Sequence, residues 1–194
     1  MIAGLLLAAG RSKRFGADKL CAKLDGKAVI RWSVATLAPL DEVYVVIPLG
    51  ADSVTQALSR LDVRFVVNLE RDEGMASSIR AGVAALPEDA EAVVIALADQ
   101  PRASDEVTRA LCDRWREGGM DAVAPVYRDG RGHPVLFGRV CFDALLALRG
   151  DVGARAVLDA LGARVALMEV ADAMPADVDT PDVLLALHTR RPPP

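Results

Sequence analysis

The feature that most constrains the fold is a series of short apolar runs separated by stretches of helical period. The runs are rich in Val, Ile or Leu and lie at 4–7, 43–47, 63–67, 93–97 and 122–125. Each run is too short for a helix and too continuous for a strand with one wet face, so each predicts a central parallel strand. Stretches with helical period lie between them, at 28–37, 51–61, 77–86 and 104–117. This alternation predicts an α/β fold with right-handed βαβ units and a doubly wound, mostly parallel, Rossmann-like sheet.

The pattern changes after Pro125. Residues 126–128 and 133–137 predict two strands joined by a glycine-rich turn, and so a small antiparallel flap on the parallel sheet. Further segments complete the predicted domain: helices at 140–148 and 154–161, a strand at 164–170 and a last helix from Asp182. The sequence contains no internal repeat and no linker, so we predict one domain over 1–189 and a loose tail over 190–194.

Composition argues against several classes of function. The chain of 194 residues has a formal net charge of −4, whereas a nucleic-acid binder needs a clustered basic face. Its three cysteines lie far apart without CxxC or Cys/His spacing, which argues against a disulfide framework or a zinc site and fits a reducing cytoplasm. The first apolar run lacks a basic segment before it, and no apolar run approaches the length of a membrane span. We therefore expect a cytoplasmic protein without a nucleic-acid or membrane partner.

Candidate ligand-binding residues follow the predicted strands, where open α/β sheets bind their ligands. In the loop after the first strand, the small residues Ala8, Ala9 and Gly10 precede four cations within nine residues, at positions 11, 13, 14 and 19. Small residues let backbone N–H groups approach an anion, so this loop suits a triphosphate. Its spacing matches neither GxGxxG nor a Walker A loop. A solvated basic turn is the alternative interpretation.

Three further segments carry polar residues at similar positions. Gly74 and two serines open a predicted helix after the third strand, where an ordinary helix cap is the alternative. Asp99 ends the fourth strand, a position suited to a Mg²⁺ ligand or to a cap of the next helix. Asp177 and Asp179 lie on alternating sides of an extended segment before a helix that begins near Pro181. Two separated carboxylates facing one basic loop would form a metal–triphosphate site.

Six motifs, in this order, resemble the nucleotidyltransferases of molybdenum cofactor maturation, a MobA-like branch of the sugar-nucleotide pyrophosphorylase-like superfamily. The resemblance spans nearly the whole chain. The first motif marks the superfamily, whereas the fourth and fifth are similar to the cytidylyltransferase branch. The motifs are Leu7-Ala8-Ala9-Gly10-x-Ser12-x-Arg14-x-Gly16-x-x-Lys19, Glu73-Gly74-Met75-x-x-Ser78, Asp99-Gln100-Pro101, Gly132-His133-Pro134, Gly150-Asp151-x-Gly153-Ala154-Arg155 and Asp177-x-Asp179-Thr180-Pro181.

This resemblance implies an enzyme that uses Mg²⁺ to transfer CMP from CTP to the phosphate of molybdopterin, with release of pyrophosphate. It implies a catalytic set of Arg14, Lys19 and Asp99, with Asp99 and Asp179 as the magnesium ligands. The segment Gly-Met-Ala-Ser-Ser at 74–78 resembles the corresponding segment of CTP-using relatives more than the Gly-Pro-Leu-Ala-Gly segment of guanylyltransferases. The implied nucleotide-binding residues are Leu7, Ala8, Ala9, Gly10, Arg14, Lys19, Gly74, Met75, Ser77 and Ser78.

The acceptor side is implied in the same way. His133, Asp151 and Arg155 would face the acceptor, although a structural role for His133 through a backbone hydrogen bond is the alternative. A molybdoenzyme or its chaperone is an implied protein partner. Many relatives follow the lysine with Leu-Leu-Pro, whereas here Leu20-Cys21-Ala22-Lys23 follows, which leaves the role of Lys23 open. We expect Cys21 to be an inert packed thiol rather than a reactive thiolate.

Four alternatives for the function remain open from the sequence. One keeps the chemistry and changes the acceptor to methylerythritol phosphate, and another changes the base to guanine. A third is an oxidoreductase of heterocycle degradation, a class described for relatives of this shape, although the sequence contains no GxGxxG motif. The fourth is a chaperone that delivers the molybdenum cofactor.

Overall fold

The computed structural model describes residues 1–10, 15 and 18–189. The strands are β1 Ile2–Leu7, β2 Lys23–Leu24, β3 Lys27–Ala28, β4 Glu42–Pro48, β5 Arg64–Asn68, β6 Ala92–Leu97, β7 Ala122–Tyr127, β8 Gly130–Arg131, β9 Val135–Gly138 and β10 Val165–Glu169. The α-helices are α1 Val29–Ala35, α2 Asp52–Leu58, α3 Met75–Ala84, α4 Asp105–Arg116, α5 Phe142–Leu146, α6 Arg155–Leu161 and α7 Pro181–Thr189. Short 3₁₀ turns lie at Arg71–Glu73, Arg139–Cys141 and Gly162–Arg164.

The main sheet has the strand order β10-β7-β9-β6-β1-β4-β5. β1 lies between β4 and β6 and is parallel to both, so that Leu5 faces Tyr44 on one side and Ile95 on the other. Val, Ile and Leu fill these strands because both faces of the sheet are covered. The predicted doubly wound, mostly parallel sheet is therefore confirmed.

Helices cover both faces of this sheet. On one face, α1, α2, α4 and α7 pack onto the core through residues such as Ile30, Leu58 and Leu111. On the other face, α3, α5 and α6 contribute residues such as Ile79 and Leu145. Successive residues of each central strand enter the two cores in turn, which is the period-2 pattern of a strand.

The region after Pro125 folds differently in detail from the predicted hairpin. Only β8 turns back on β7, pairing Val126 with Arg131, whereas β9 enters the main sheet antiparallel to both β6 and β7. The reason is hydrophobic: Leu136 and Phe137 point to opposite faces and both are fully buried. Only an internal position in the sheet covers both side chains.

Two smaller features complete the fold. β2 and β3 form a small antiparallel sheet joined by a turn at Asp25 and Gly26, which have φ of 49° and 79°. This turn was not predicted from the sequence. Ser104 caps α4, because its Oγ accepts from the Glu106 N–H at 3.1 Å. Within the described part of the chain, no helix is long and apolar enough to cross a membrane. The limits of the single domain over 1–189 stay a prediction, and the tail at 190–194 lies outside the described residues.

Candidate active site

A cavity of about 630 Å³ lies at the carboxyl edge of the parallel strands. The segments that follow β1, β5 and β6 border it, together with a loop at Asp151 and the extended segment before α7. This is the edge at which open α/β sheets bind ligands. The cavity is lined by Leu7, Ala9, Gly10, Arg71, Asp72, Glu73, Gly74, Met75, Ser78, Leu97, Asp99, Asp151, Asp177 and Asp179.

The acidic segment before α7 is fixed to the end of β6 by its backbone. The Val178 N–H donates to the Asp99 carbonyl at 2.8 Å, and the Val178 side chain is fully buried in the core. The Asp179 N–H donates to the Asp177 carbonyl at 2.9 Å, and both side chains line the cavity. The expectation that Asp177 and Asp179 lie on alternating sides is therefore wrong, because residues two apart in an extended segment share a side. Gln100 Nε2 donates to Asp177 Oδ1 at 2.8 Å. Burial raises the pKa of Asp177, the nearby carboxylates add to the increase, and Gln100 opposes it.

Lys19 joins the two carboxylates that the sequence singled out as metal ligands. Its Nζ donates to Asp99 Oδ2 at 2.6 Å and to Asp179 Oδ1 at 2.9 Å, and its side chain is only 11% exposed. Burial lowers the pKa of Lys19, but the contacts with Asp99 and Asp179 outweigh it and the net pKa is raised. Lys19 is therefore an ammonium at neutral pH.

The same carboxylates provide a donor set for a divalent cation. Because one ammonium contacts both Asp99 and Asp179, their oxygens are close enough to face a single ion. No group of three or more His, Cys, Asp or Glu side chains suited to a metal occurs among the described residues. Mg²⁺ usually retains several waters and takes one or two carboxylates plus substrate phosphates, so a pair of aspartates fits such an ion without a complete protein cage.

Helix α3 begins against a distant loop. Gly74 has φ of 99°, and a Cβ placed on it would lie 2.7 Å from both Asp151 Cα and the Gly150 carbonyl oxygen. The first N–H groups of the helix donate to this loop, Met75 N to Asp151 Oδ1 at 3.3 Å and Ala76 N to Gly150 O at 3.2 Å. Asp151 therefore caps α3 and also lines the cavity.

Asn68, at the end of β5, fixes the two serines of α3. Its Nδ2 donates to Ser77 Oγ at 2.9 Å and to Ser78 Oγ at 3.0 Å, and its Oδ1 accepts from the Glu70 N–H at 2.9 Å. Asn68 is 2% exposed. Ser77 Oγ donates in turn to the Gly74 carbonyl at 2.8 Å, whereas Ser78 borders the cavity.

Comparison with known proteins identifies the family. Residues 4–165 match the MobA-like NTP transferase domain. The chain belongs to the MobA-like NTP transferase family. This confirms the resemblance inferred from the motifs, and with it the general activity of a nucleotidyltransferase.

Relatives of this MobA-like chain carry several different names. It is 30% identical to nicotine blue oxidoreductase of Paenarthrobacter nicotinovorans over 96% of both chains. It is 31% identical to purine catabolism protein PucB of Bacillus subtilis over 92% of both chains. It is also 26% identical to a probable molybdenum cofactor guanylyltransferase of Thermococcus gammatolerans, over 68% of this chain and 66% of the relative. The names of these relatives therefore differ in the activity that they state.

Solved structures agree with this family. Rv0371c from Mycobacterium tuberculosis superposes with a TM-score of 0.86 at 29% identity and 97% coverage of both chains. A structure of the same protein in complex with manganese has a TM-score of 0.83 at 27% identity, covering 98% of this chain and 99% of that one. A nucleotidyl transferase from Methanothermobacter has a TM-score of 0.79 at 26% identity, with 97% and 96% coverage.

The MobA-like loop after β1 is described only in part. Ala9, Gly10 and Leu7 border the cavity, whereas Ala8 is buried and its N–H donates to the Val46 carbonyl at 2.8 Å. The predicted catalytic Arg14 lies outside the described residues. Burial raises the pKa of the Cys21 thiol, which agrees with the expectation of an inert cysteine.

The three predicted acceptor residues are not all brought together. Asp151 borders the cavity, but Arg155 is 72% exposed on α6, 4.0 Å from Asp159, and is not one of the lining residues. Burial lowers the pKa of His133 to about 4, opposed by the nearby Asp99 charge, so the imidazole is neutral at pH 7. The His133 carbonyl accepts from Tyr127 Oη at 2.7 Å, which supports the structural alternative for this segment.

Two residues that shape the site, Asn68 behind the cavity wall and Arg71 in it, were not assigned from the sequence. Asn68 is a polar residue at the carboxyl end of a strand, the same signal that identified Asp99, and it could have been found by that rule. Arg71 lines the cavity, and its Nη2 donates to the Gly10 carbonyl at 3.5 Å, at the limit for a hydrogen bond. The buried Nε of Arg71 has no hydrogen-bond partner within the described ranges. Nothing in the local sequence separates Arg71 from a surface arginine.

Proposed function

We propose that this enzyme transfers CMP from CTP to the terminal phosphate of molybdopterin or the molybdenum cofactor, with Mg²⁺ as its metal and pyrophosphate as the second product. The observation that carries the proposal is the cluster of Lys19, Asp99 and Asp179 at one end of the 630 Å³ cavity. The cluster supplies a buried cation and two carboxylates, the charges that a metal-bound triphosphate needs.

The reaction is an in-line displacement at the α-phosphorus of CTP. An oxygen of the acceptor phosphate forms the new P–O bond, and the bond from the α-phosphorus to the bridging oxygen of pyrophosphate breaks. A phosphate monoester has a second pKa of about 6, so the attacking group is already a dianion at neutral pH. The chemistry therefore needs no general base, in agreement with a neutral His133.

The work of the protein is then to position the reactants and to balance charge. Lys19 and, in the proposal, Arg14 contact the phosphates, while the N–H groups of Ala9 and Gly10 approach them from the end of β1. Asp99 and Asp179 hold Mg²⁺, which when bound neutralises charge on the triphosphate and on the leaving pyrophosphate.

The base and the acceptor are assigned to neighbouring parts of the cavity, because Asp151, on the acceptor side, also caps α3. The base contacts the start of α3, where the Gly-Met-Ala-Ser-Ser segment supports cytosine. The acceptor lies near Asp151 and His133. Arg155 contacts it only after its exposed side chain turns away from Asp159.

A second candidate is an oxidoreductase activity. It is favoured by one observation, the 30% identity with nicotine blue oxidoreductase over nearly the full length of both chains. The two candidates differ in their co-substrate, an NTP for the transferase and a nicotinamide dinucleotide for the oxidoreductase.

Ligand binding followed by turnover separates these candidates. Thermal unfolding is measured with Mg²⁺ and each of CTP, GTP, ATP, UTP and NADPH, because a ligand that binds only the folded state raises Tm. We expect the largest shift with CTP, and formation of a CMP adduct of molybdopterin with release of pyrophosphate. An increase in Tm with GTP alone would assign guanine as the base in place of cytosine. An increase in Tm with NADPH alone would overturn the proposed transferase activity.

The variant Asp99→Ala tests the site directly. It removes one of two metal ligands, so we expect turnover to fall by at least roughly 10³-fold while the variant still folds. The matched control is Asp105→Ala on the surface of α4, where Asp105 pairs with Arg109 at 2.9 Å, and turnover should be unchanged. Full activity of Asp99→Ala would contradict the assignment.

A further inference from the structure

The hydrogen bonds around Asn68 determine whether the Ser78 hydroxyl, which borders the cavity, donates or accepts a hydrogen bond there. The Glu70 backbone N–H can only donate, so the side-chain atom of Asn68 that it contacts must be the amide oxygen. The amide nitrogen of Asn68 then faces α3, and its two hydrogens are used by Ser77 Oγ and Ser78 Oγ. The Glu70 N–H alone fixes the orientation of the Asn68 amide, whichever way the serine hydroxyls point.

The two serines must therefore both accept from Asn68, and they differ in where their own protons go. Ser77 Oγ donates to the Gly74 carbonyl at 2.8 Å, so its hydrogen bonds stay within α3. The Ser78 hydroxyl has no such acceptor within the described part of the chain, although Ser78 is only 7% exposed. Ser78 borders the cavity, so its hydroxyl is left to donate to whatever occupies the cavity.

We propose that Asn68 is a positioning residue for base selection, because it makes Ser78 a hydrogen-bond donor toward the nucleotide base. The group it selects is an acceptor on the base, either a carbonyl oxygen or an unprotonated ring nitrogen. A buried donor that meets an N–H of the wrong base leaves two donors unpaired, and such mismatches discriminate strongly between ligands. This inference rests on the proposed function, since it assumes that the base lies at the start of α3.

The substitution Asn68→Asp reverses this polarity with little change of shape. Its Oδ1 still accepts from the Glu70 N–H, but its second oxygen now accepts from the Ser77 and Ser78 hydroxyls. Ser78 then presents only its lone pairs to the cavity. The expected result is a fall of about 10- to 100-fold in kcat/KM for the NTP that the wild-type enzyme prefers, relative to the other NTPs, mainly through KM.

Two measurements separate base selection from a purely structural role of Asn68. Binding of inorganic triphosphate with Mg²⁺ reports the phosphate site without a base, and we expect its Kd to be unchanged in Asn68→Asp. Ser78→Ala removes the donor itself, so adding Asn68→Asp to Ser78→Ala should change base preference no further. Ser77 was expected to bind the nucleotide, but it is not one of the residues that line the cavity, and its hydroxyl donates within α3. Ser77→Ala is therefore the matched control and should keep the wild-type base preference.

Each outcome decides the inference. An unchanged base preference in a folded Asn68→Asp variant overturns it, as does an equal loss of preference in Ser77→Ala and Ser78→Ala. If Asn68→Asp does not fold, the comparison of the two serine variants decides alone. Absence of any NTP binding to the wild-type enzyme would instead overturn the proposed function, which distinguishes the two failures.

Discussion

Lys19 is the residue on which the charge balance of the site depends. Its ammonium lies between Asp99 and Asp179, and Asp177 is close enough for its pKa to be raised by both carboxylates. Without the lysine, these carboxylates repel one another in a partly buried setting. The charge of Lys19 therefore stabilises the fold as well as the proposed substrate complex.

We expect Lys19→Met to lower the free energy of unfolding by about 1–3 kcal/mol, allowing for partial solvent screening at Asp99 and Asp179. Adding Mg²⁺ or Mn²⁺ should restore more stability to the variant than to the wild type, because the ion replaces the missing cation. Denaturant unfolding with and without the metal measures both effects. Equal metal effects in the two proteins would contradict this view of the cluster.

His133 should make the stability depend on pH. Its pKa is lowered from 6.5 to about 4 by burial, so the folded state binds fewer protons than the unfolded state between these values. The contribution of His133 is therefore present above pH 6.5 and is lost as the pH falls, by roughly 2 kcal/mol between pH 7 and pH 5. Denaturant unfolding at the two pH values should show that His133→Asn loses this part of the dependence. The exposed His188 supplies the control, since His188→Asn should retain it.

The sequence predicted single residues best where their position in the fold carries the signal. Asp99 and Lys19 were found because they follow strands whose carboxyl ends share one edge, and the structure brings them together. Arg155 came from the resemblance alone, and its side chain is exposed outside the cavity wall. Asn68 ends β5 and could have been found by the same rule, whereas Arg71 depends on contacts made after folding, which no local pattern encodes.

At the scale of elements, the start of α3 is held by contact between two backbones. Gly74 has both a positive φ and direct contact with the Gly150–Asp151 loop, so a side chain here causes strain and a clash. We expect Gly74→Ala to lower the free energy of unfolding by about 2–4 kcal/mol and to weaken NTP binding, because the loop must move away from α3.

Gly119→Ala is the matched control for this prediction. Gly119 has φ of 81° but nothing within 4 Å of an added Cβ, so the variant has the strain without the clash. Its cost should be about 1 kcal/mol, with NTP binding unchanged. Thermal unfolding and calorimetric titration with CTP compare the two variants, and equal effects would show that the contact with Gly150 and Asp151 has no role of its own.

The central strands were predictable because continuous apolar runs specify burial on both faces. The same pattern at 135–137 specifies burial on both faces but does not specify which strands pair with β9. We therefore expected β9 in a small flap, whereas it lies inside the main sheet between β6 and β7. Its pairing with β7 is local and antiparallel, as in a hairpin, whereas β6 lies far earlier in the chain and local turn chemistry does not encode that second pairing. The Asp25–Gly26 turn was not predicted, although an Asp-Gly pair is a local turn signal.

At the scale of the whole molecule, the cavity is built from several segments that are distant in sequence. Its lining comes from the ends of β1, β5 and β6, the Asp151 loop and the segment before α7, all held by two cores on opposite faces of the sheet. Only the architecture brings these segments together. The sequence therefore predicted which segments place polar residues at the ends of strands, while their arrangement around one cavity followed from the fold.

The position of β9 also sets the order in which a nascent chain can acquire its activity. During synthesis, β1, β4, β5 and β6 emerge first and can pair, but one edge of β6 stays open until Val135–Gly138 has been made. Asp179 and the Val178 contact that fixes it to the end of β6 emerge later still. A ribosome-bound chain interrupted between β9 and Asp179 would hold the parallel half of the sheet without the second carboxylate. If the site binds a triphosphate as proposed, we expect binding to begin late in translation, after most of the sheet has formed.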